Sequence, residues 1–221
     1  MRVLIACEQS GIVREAFCRH GHDAWSCDLV PSERPGQHLQ GDAMDYLAHG
    51  WDLLIASPPC TYLARAGARW WAARQAEQKD ALDFIRALLN APIPRIALEN
   101  PPGRIGTAIR PADQYIQPWQ FGHREGKLTG LWLKNLPRLQ ATCVVDPARY
   151  RCPTCKQVWT ADYGMYCRTC LTLRPALPVW DNQTPSGQNR LGPSQDRARL
   201  RSQTYQGIAD AMAGQYGIHI V

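Results

Sequence analysis

Arg2-Val3-Leu4-Ile5-Ala6-Cys7-Glu8-Gln9-Ser10-Gly11-Ile12-Val13-Arg14-Glu15-Ala16-Phe17 decides how the chain is read. Residues 3–6 are a short unbroken apolar run, the pattern of a strand buried on both faces of a parallel sheet. Residues 7–11 are a polar turn, after which Ile12, Val13, Ala16 and Phe17 recur at helical spacing. Strand, tight turn and helix make the first half of a βαβ unit. The rhythm continues outward: residues 24–27 form a second strand ending at Asp28, 31–37 a loop, Gly41-Asp42-Ala43 the start of another element, and 51–56 a third strand. Residues 72–90 read as a long helix with Ala76, Ala81, Leu82, Ile85, Leu88 and Leu89 on one side, ended by Pro92 and Pro94. Residues 95–98 and 128–133 are further strands, and 205–216 a closing helix. This alternation predicts an α/β, doubly wound, Rossmann-like sheet. Ligands bind such sheets beyond the carboxyl ends of the strands, where Asp28 and Asp42 stand.

The 221 residues are 45% hydrophobic and contain no apolar run long enough for a membrane span, so a packed, cytoplasmic protein with a sizeable core is expected. The net charge of +6 is unevenly placed. Residues 1–120 carry 12 Lys and Arg against 13 acids, whereas the last 101 carry 13 against 6, which points to a polyanionic partner for the C-terminal part. The nine cysteines divide as well. Cys7, Cys18, Cys27, Cys60 and Cys143 are scattered, while Cys152-Pro-Thr-Cys155 and Cys167-Arg-Thr-Cys170 are tight pairs separated by eleven residues. That is a zinc-ribbon spacing: two knuckles present four thiolates to one structural Zn²⁺ per chain, with no coordination position left for catalysis. Arg149, Arg151, Lys156, Arg168 and Arg174 lie around it with Tyr150, Trp159, Tyr163 and Tyr166, a mixture suited to phosphates and bases or, more simply, to packing round the metal.

Ser57-Pro58-Pro59-Cys60 follows the third strand directly. Two prolines stiffen the chain, so Cys60 is held at a defined point beyond the carboxyl edge of the sheet. A lone cysteine is ordinarily an inert core residue, but Arg65 and Arg69 are cations able to favour its thiolate. Glu99-Asn100-Pro101, at the end of the next strand, brings a carboxyl group to the same edge. That pair meets the demands of methylation at carbon-5 of a pyrimidine. Carbon-5 of cytosine is too weak a nucleophile to attack a methyl sulfonium directly. A thiolate must first add to C6, with an acid at N3 and the exocyclic amine stabilising the charge on the ring.

In this order, along nearly the whole chain, the sequence resembles the DNA (cytosine-5) methyltransferases, and in particular their short phage-borne members, which work in the host bacterial cytoplasm. Pro59-Cys60 is similar to the family's proline-cysteine motif, and Glu99-Asn100-Pro101 to its Glu-Asn-Val motif with proline in place of valine. The resemblance implies that Cys60 is the nucleophile and Glu99 the acid. It also implies an S-adenosyl-L-methionine site made by Cys7, Glu8, Ser10 and Gly11 together with Asp28 at the ribose, Asp42 near the adenine amine, and Pro58. The family's phenylalanine and extra glycines are replaced in that first loop by Glu8, Gln9 and Ser10. Residues 123–127 stand where the family carries a glutamine-arginine motif, here degraded to His-Arg-Glu-Gly-Lys. The expected organisation is a catalytic methyltransferase sheet over residues 1–140, a zinc-ribbon insertion over 141–180 in place of the usual target-recognition domain, and a basic loop with a returning helix over 181–221. A monomer is expected on double-stranded DNA, contacting it through Arg65, Arg69, Lys127, Arg151, Lys156 and Arg168 and flipping out the target base. Residues 61–75 would close on that base, and Tyr62, Trp70 and Trp71 would either touch DNA or form core at the head of the long helix. Two other readings stand beside this one. Ser57-Pro58-Pro59 also begins the motif of the amino (N4-cytosine or N6-adenine) methyltransferases, which place an aromatic ring where Cys60 is. A DNA-binding or regulatory protein with a degenerate methyltransferase fold is the other, and RNA or a free nucleotide is an alternative substrate.

Overall fold

The computed structural model of the protein describes residues 1–163, 166–167, 169–170, 175–184, 189–194 and 196–218. The chain divides into two compact units, one of Met1–Ile116, Leu128–Gln140 and Ser202–Val221, the other of Gln117–Lys127 and Ala141–Arg201.

The first unit is built on a seven-stranded sheet. Its strands are β1 (Arg2–Ala6), β2 (Asp23–Asp28), β3 (His38–Gln40), β4 (Leu53–Ala56), β5 (Arg95–Asn100), β6 (Gln114–Ile116) and β7 (Thr129–Lys134), in the order β3-β2-β1-β4-β5-β7-β6. All pairings are parallel except those of β7, which runs antiparallel to both β5 and β6. Parallel neighbours need crossovers, and the helices α1 (Ile12–Arg19) and α2 (Gln75–Leu89) supply those from β1 to β2 and from β4 to β5. The interior strands are buried on both faces, as their unbroken apolar runs require. Leu4, Ala6, Leu54, Ala56, Ile96, Leu98 and Trp132 pack with Leu82, Ile85 and Leu88 of α2 into one cluster. The alternate residues Val3, Ile5, Leu53, Ile55 and Ala97, equally buried, face the other way. Helix α1 packs there on the C-terminal helix of the chain, with Arg19 bridging to Asp210 at 2.6 Å. This is the doubly wound, Rossmann-like α/β sheet expected from the sequence.

Several local details differ from the sequence reading. Strands β3 and β6 are three residues each, too short to show a period, and the short helix α3 (Arg104–Ala108) lies in a stretch to which the sequence reading assigns no element. The long helix begins at Gln75, three residues later than expected, because Arg74 leaves helical geometry (φ −131°, ψ 44°) and residues Arg65–Ala73 form a 3-10 run instead.

The second unit holds a three-stranded antiparallel sheet of β8 (Arg149–Arg151), β9 (Val158–Thr160) and β10 (Leu177–Val179), in the order β10-β8-β9. Residues 117–127, placed by the sequence reading with the large sheet, cluster here. They are held by Gly122 N–H on the Cys143 carbonyl (2.7 Å), by the side chain of Asn182 on both N–H and C=O of Gly126 (3.0 Å each), and by Trp119 stacked on Trp180 at 5.7 Å. The stretch 181–203, read as extended loop, contains the helix α4 (Arg197–Ser202), and α5 (Gln206–Tyr216) closes the chain. Among the described residues no helix is long and apolar enough to cross a membrane.

Candidate active site and metal centre

Strands β4 and β5 are parallel neighbours in the register Leu53↔Arg95 to Ala56↔Leu98, so the segments leaving them emerge side by side at the carboxyl edge of the sheet. The first segment carries Pro58, buried, and Cys60, exposed; the second carries Glu99, 8% exposed, and Asn100, 1% exposed. The two are joined at several points. The Asn100 amide donates to the Pro58 carbonyl at 2.8 Å, which fixes the first segment against the end of β5. Arg65 N–H donates to the Pro102 carbonyl (2.9 Å) and Arg104 N–H to the Leu63 carbonyl (2.8 Å), either side of an antiparallel bridge between Ala64 and Gly103. A turn closes behind the thiol residue, with Leu63 and Ala64 N–H both on the Cys60 carbonyl (3.0 and 2.8 Å). The Thr204 hydroxyl donates to Glu99 Oε2 at 3.5 Å. The sequence reading foresaw Cys60 and Glu99 at one edge; it missed Asn100 and Thr204, whose roles are long-range.

Gly103 makes this junction possible. A Cβ at that position would lie 1.9 Å from the Leu63 carbonyl oxygen and 2.8 Å from its carbon, backbone atoms that cannot turn aside. Gly103→Ala is therefore expected to cost about 2 kcal/mol or more by urea denaturation and to part the two segments. Wild-type stability in that variant would contradict the geometry.

The expected cofactor residues lie at or just beyond the ends of β1, β2 and β3, with Pro58 after β4. Cys7 is half-buried with a left-handed φ of 59°, and its thiol is pushed up to about 12 by burial and then by Asp28, Cys27 and Asp42. The same two carboxylates, after burial, raise Cys27 to about 11. Asp28 and Asp42 thus act on the same two thiols at the carboxyl ends of β1 and β2. Asp28 is half-buried and accepts from Val30 N–H (3.3 Å); Asp42 is exposed and caps a 3-10 turn through Met44 N–H (2.9 Å). Glu8 and Ser10 are buried and turned onto α1. Glu8 Oε1 accepts from Val13 N–H (2.6 Å) and Oε2 from Arg14 N–H (3.1 Å), while Ser10 Oγ accepts from Ile12 N–H (3.3 Å). Burial raises the Glu8 carboxyl above its ordinary range in spite of these donors. All three leading N–H groups of α1 are thereby satisfied from inside the chain. Gly11, at φ 71°, leaves room for the Arg14 guanidinium, which a Cβ there would approach to 2.7 Å. Arg14, 1% exposed and unremarked in the sequence, binds Ser26 Oγ (2.9 Å), Ser32 Oγ (3.1 Å) and the carbonyls of Arg34 (3.1 Å) and Pro35 (2.8 Å), fastening the loop after β2.

In the second unit Cys152, Cys155, Cys167 and Cys170 bring their sulfurs within 4.8 Å of one another. The Cys152–Cys170 and Cys155–Cys167 separations are both 3.5 Å. Tetrahedral Zn–S bonds of about 2.3 Å place sulfurs roughly 3.8 Å apart, so the four thiols fit one ion. Thr154 and Cys155 N–H point at the Cys152 sulfur (3.3 and 3.4 Å); burial opposes its ionisation, but these donors bring the thiol down to about 6. Cys155 goes the other way: against the Gln157 N–H, burial and the neighbouring Cys167, Cys152 and Cys170 sulfurs push it up to about 12. Of the expected DNA-contacting cations, Arg65 and Arg69 are exposed on the 3-10 run, Lys127 is half-buried, Arg151 is half-buried on β8, and exposed Lys156 turns its ammonium onto the Pro153 carbonyl. Arg168 and Arg174 lie outside the described residues.

The fold and this edge define a Rossmann-like α/β protein with a thiol and a carboxyl at adjacent strand ends and a four-cysteine centre. No family model and no curated sequence matches the chain. Nineteen solved chains match in structure. One of them, a candidate DNA modification methyltransferase encoded within a prophage of E. coli, is 14% identical with a TM-score of 0.43, over 60% of this chain and 46% of that one. The chain therefore spans less than half the length of that protein, and the functional reading rests on the site residues themselves.

Proposed function

We propose that the protein transfers a methyl group from S-adenosyl-L-methionine to carbon-5 of cytosine in DNA, with Cys60 as nucleophile and Glu99 as acid. The observation that carries this reading is the junction of the Cys60 and Glu99 segments through Asn100, Ala64 and Gly103 at one strand edge. The Cys60 sulfur forms a bond to C6, and the electron pair displaced from the C5–C6 double bond is drawn toward N3, which Glu99 protonates. Carbon-5 of the resulting enamine then takes the methyl. Methyl transfer leaves the sulfonium as a neutral thioether; loss of the C5 proton to water, return of the N3 proton to Glu99 and cleavage of the C6–S bond then restore the aromatic ring and free the thiolate. A cytosine must leave the stack of its neighbours to reach a thiol held at a sheet edge.

The cofactor supplies an electrophilic methyl on a sulfonium. The chain fits such a group better than a dinucleotide. In nucleotide-binding sheets the pyrophosphate lies on free N–H groups at the first helix, whereas here Glu8 and Ser10 engage the N–H groups of Ile12, Val13 and Arg14. Asp28 and Asp42 add negative charge suited to a cationic ligand, and Cys7, Gly11 and Pro58 border the same edge. The four cysteines would hold one structural Zn²⁺, and the second unit, with Arg149, Arg151 and Lys156 beside Tyr150 and Trp159, would contact DNA.

Product analysis tests the reading. DNA incubated with the protein and methyl-labelled cofactor should yield label in 5-methylcytosine after digestion to nucleosides. Label in N4-methylcytosine or N6-methyladenine would replace this mechanism with direct attack by an amine, and no label at all would leave a binding protein.

A further inference from the structure

The residue after Cys60 begins a cavity. Thr61, Tyr62, Gly67, Trp70, Trp71 and Arg74 enclose about 210 Å³ of space, with Trp71 shared with a shallower groove that runs along α2 to Arg104. Arginine–aromatic pairs stand on and beside it: Arg74 and Tyr62 both line it, whereas Arg69 and Arg104 stack from outside on its Trp70 and Trp71. The Arg74 guanidinium lies 5.6 Å from the Tyr62 ring centre, Arg69 5.0 Å from Trp70, and Arg104 5.6 Å from Trp71. Trp70 keeps 57% of its surface exposed, and the Trp71 indole N–H is buried without a hydrogen-bond partner among the described residues. Residues 61–75 contain three arginines and no acid. Flat rings and a flat cation offered together, with an unbalanced positive charge, complement a π-faced ring on an anionic backbone. A stacked duplex keeps its base faces covered, so only an unstacked nucleotide can use such walls.

We propose that this cavity receives one unstacked nucleobase adjacent to the reacting cytosine, so that the substrate strand is single-stranded over at least two neighbouring nucleotides. The inference rests on the reading of Cys60 as the residue that meets the target base, and it departs from the duplex partner expected from sequence. The cytosine reaches Cys60 while its neighbour stacks between Tyr62 and Trp70, and Arg69 and Arg74 offset the charge of the phosphate joining them.

The full-length, zinc-loaded protein and its variants Tyr62→Leu, Trp70→Leu and Tyr62→Phe are titrated at one fixed salt concentration against a fluorescent cytosine-containing strand, single or annealed. Thermal midpoints are recorded to show that each variant is folded. The wild type should bind the single strand at least about tenfold more tightly than the duplex. Tyr62→Leu and Trp70→Leu should each weaken single-strand binding roughly tenfold with duplex binding unchanged, and Tyr62→Phe, which keeps the ring, should bind as the wild type. Equal affinity for both forms, or folded leucine variants that bind the single strand like the wild type, overturns the proposal. Covalent capture of a 5-fluorocytosine strand is measured alongside. Capture without the variant pattern refutes the cavity and leaves the C5 reading standing; the variant pattern without capture refutes the C5 reading and leaves the cavity.

Discussion

Glu99→Gln is expected to slow methyl transfer by roughly 10²–10⁴-fold while leaving equilibrium cofactor binding essentially unchanged. Glutamine keeps the size and one acceptor oxygen of the side chain, so it should preserve the packing of a residue that is 8% exposed at the end of β5. What it removes, in the proposed mechanism, is the proton given to N3 as Cys60 adds to C6. Without that proton the charge pushed onto the ring has no partner, and the addition becomes unfavourable. The Thr204 hydroxyl, 3.5 Å from Glu99 Oε2, can still meet the oxygen of the amide, so the loss is chemical and not positional. Single-turnover rates report the chemical step, and calorimetry reports the cofactor. A parallel loss of both would assign Glu99 a structural role, and an unchanged rate would remove it from the mechanism.

Stripping zinc is expected to unfold the described parts of Ala141–Arg201 while leaving the large sheet folded. The second unit has little else to hold it: three strands of three residues each, with Cys152, Cys167, Val179 and Trp180 among its few buried side chains. Structural zinc contributes about 10–16 kcal/mol of apparent binding energy to small cysteine-ligated modules, more than such a core can supply. Elemental analysis should find one Zn per chain, and Cys152→Ser or a strong chelator should make the 141–201 region sensitive to protease. Because the ligands must be thiolates, metal should also be lost as the pH falls, when protons compete for the sulfurs. A metal-free protein whose second unit resists protease would refute the ribbon.

Much of the fold was legible because it is written in local pattern. The apolar runs at 3–6 and 51–56 and the helical spacing of Leu82, Ile85 and Leu88 correspond to elements that the sheet buries. The cysteine knuckles were equally plain, since metal geometry dictates their spacing. What stayed hidden depends on partners distant in sequence. Strands β3 and β6 are edge strands of three residues, with only Ile116 buried between them. The 3-10 run from Arg65 looks helical by composition, and only Arg74 marks where the α-helix starts. Glu8 resembles a cofactor ligand by position, yet its carboxylate caps α1; nothing in a sequence says which way a buried acid turns. Arg14 gives no signal in the sequence, because its partners lie in the loop at 32–37 that closes over it. At the site, Cys60 and Glu99 were visible through the chemistry they share, whereas Gly103 and Asn100 matter only because two segments some forty residues apart come together.

The most direct test of that shared chemistry is covalent capture. A 5-fluorocytosine strand blocks loss of the C5 substituent after methylation, so the C6–S bond cannot break. Protein incubated with cofactor and this strand should gain, by intact mass, one strand plus one methyl group per chain, and Cys60→Ser should gain nothing. Methyl transfer to ordinary DNA with no adduct on the fluorinated strand, or an adduct that persists in Cys60→Ser, would contradict the account.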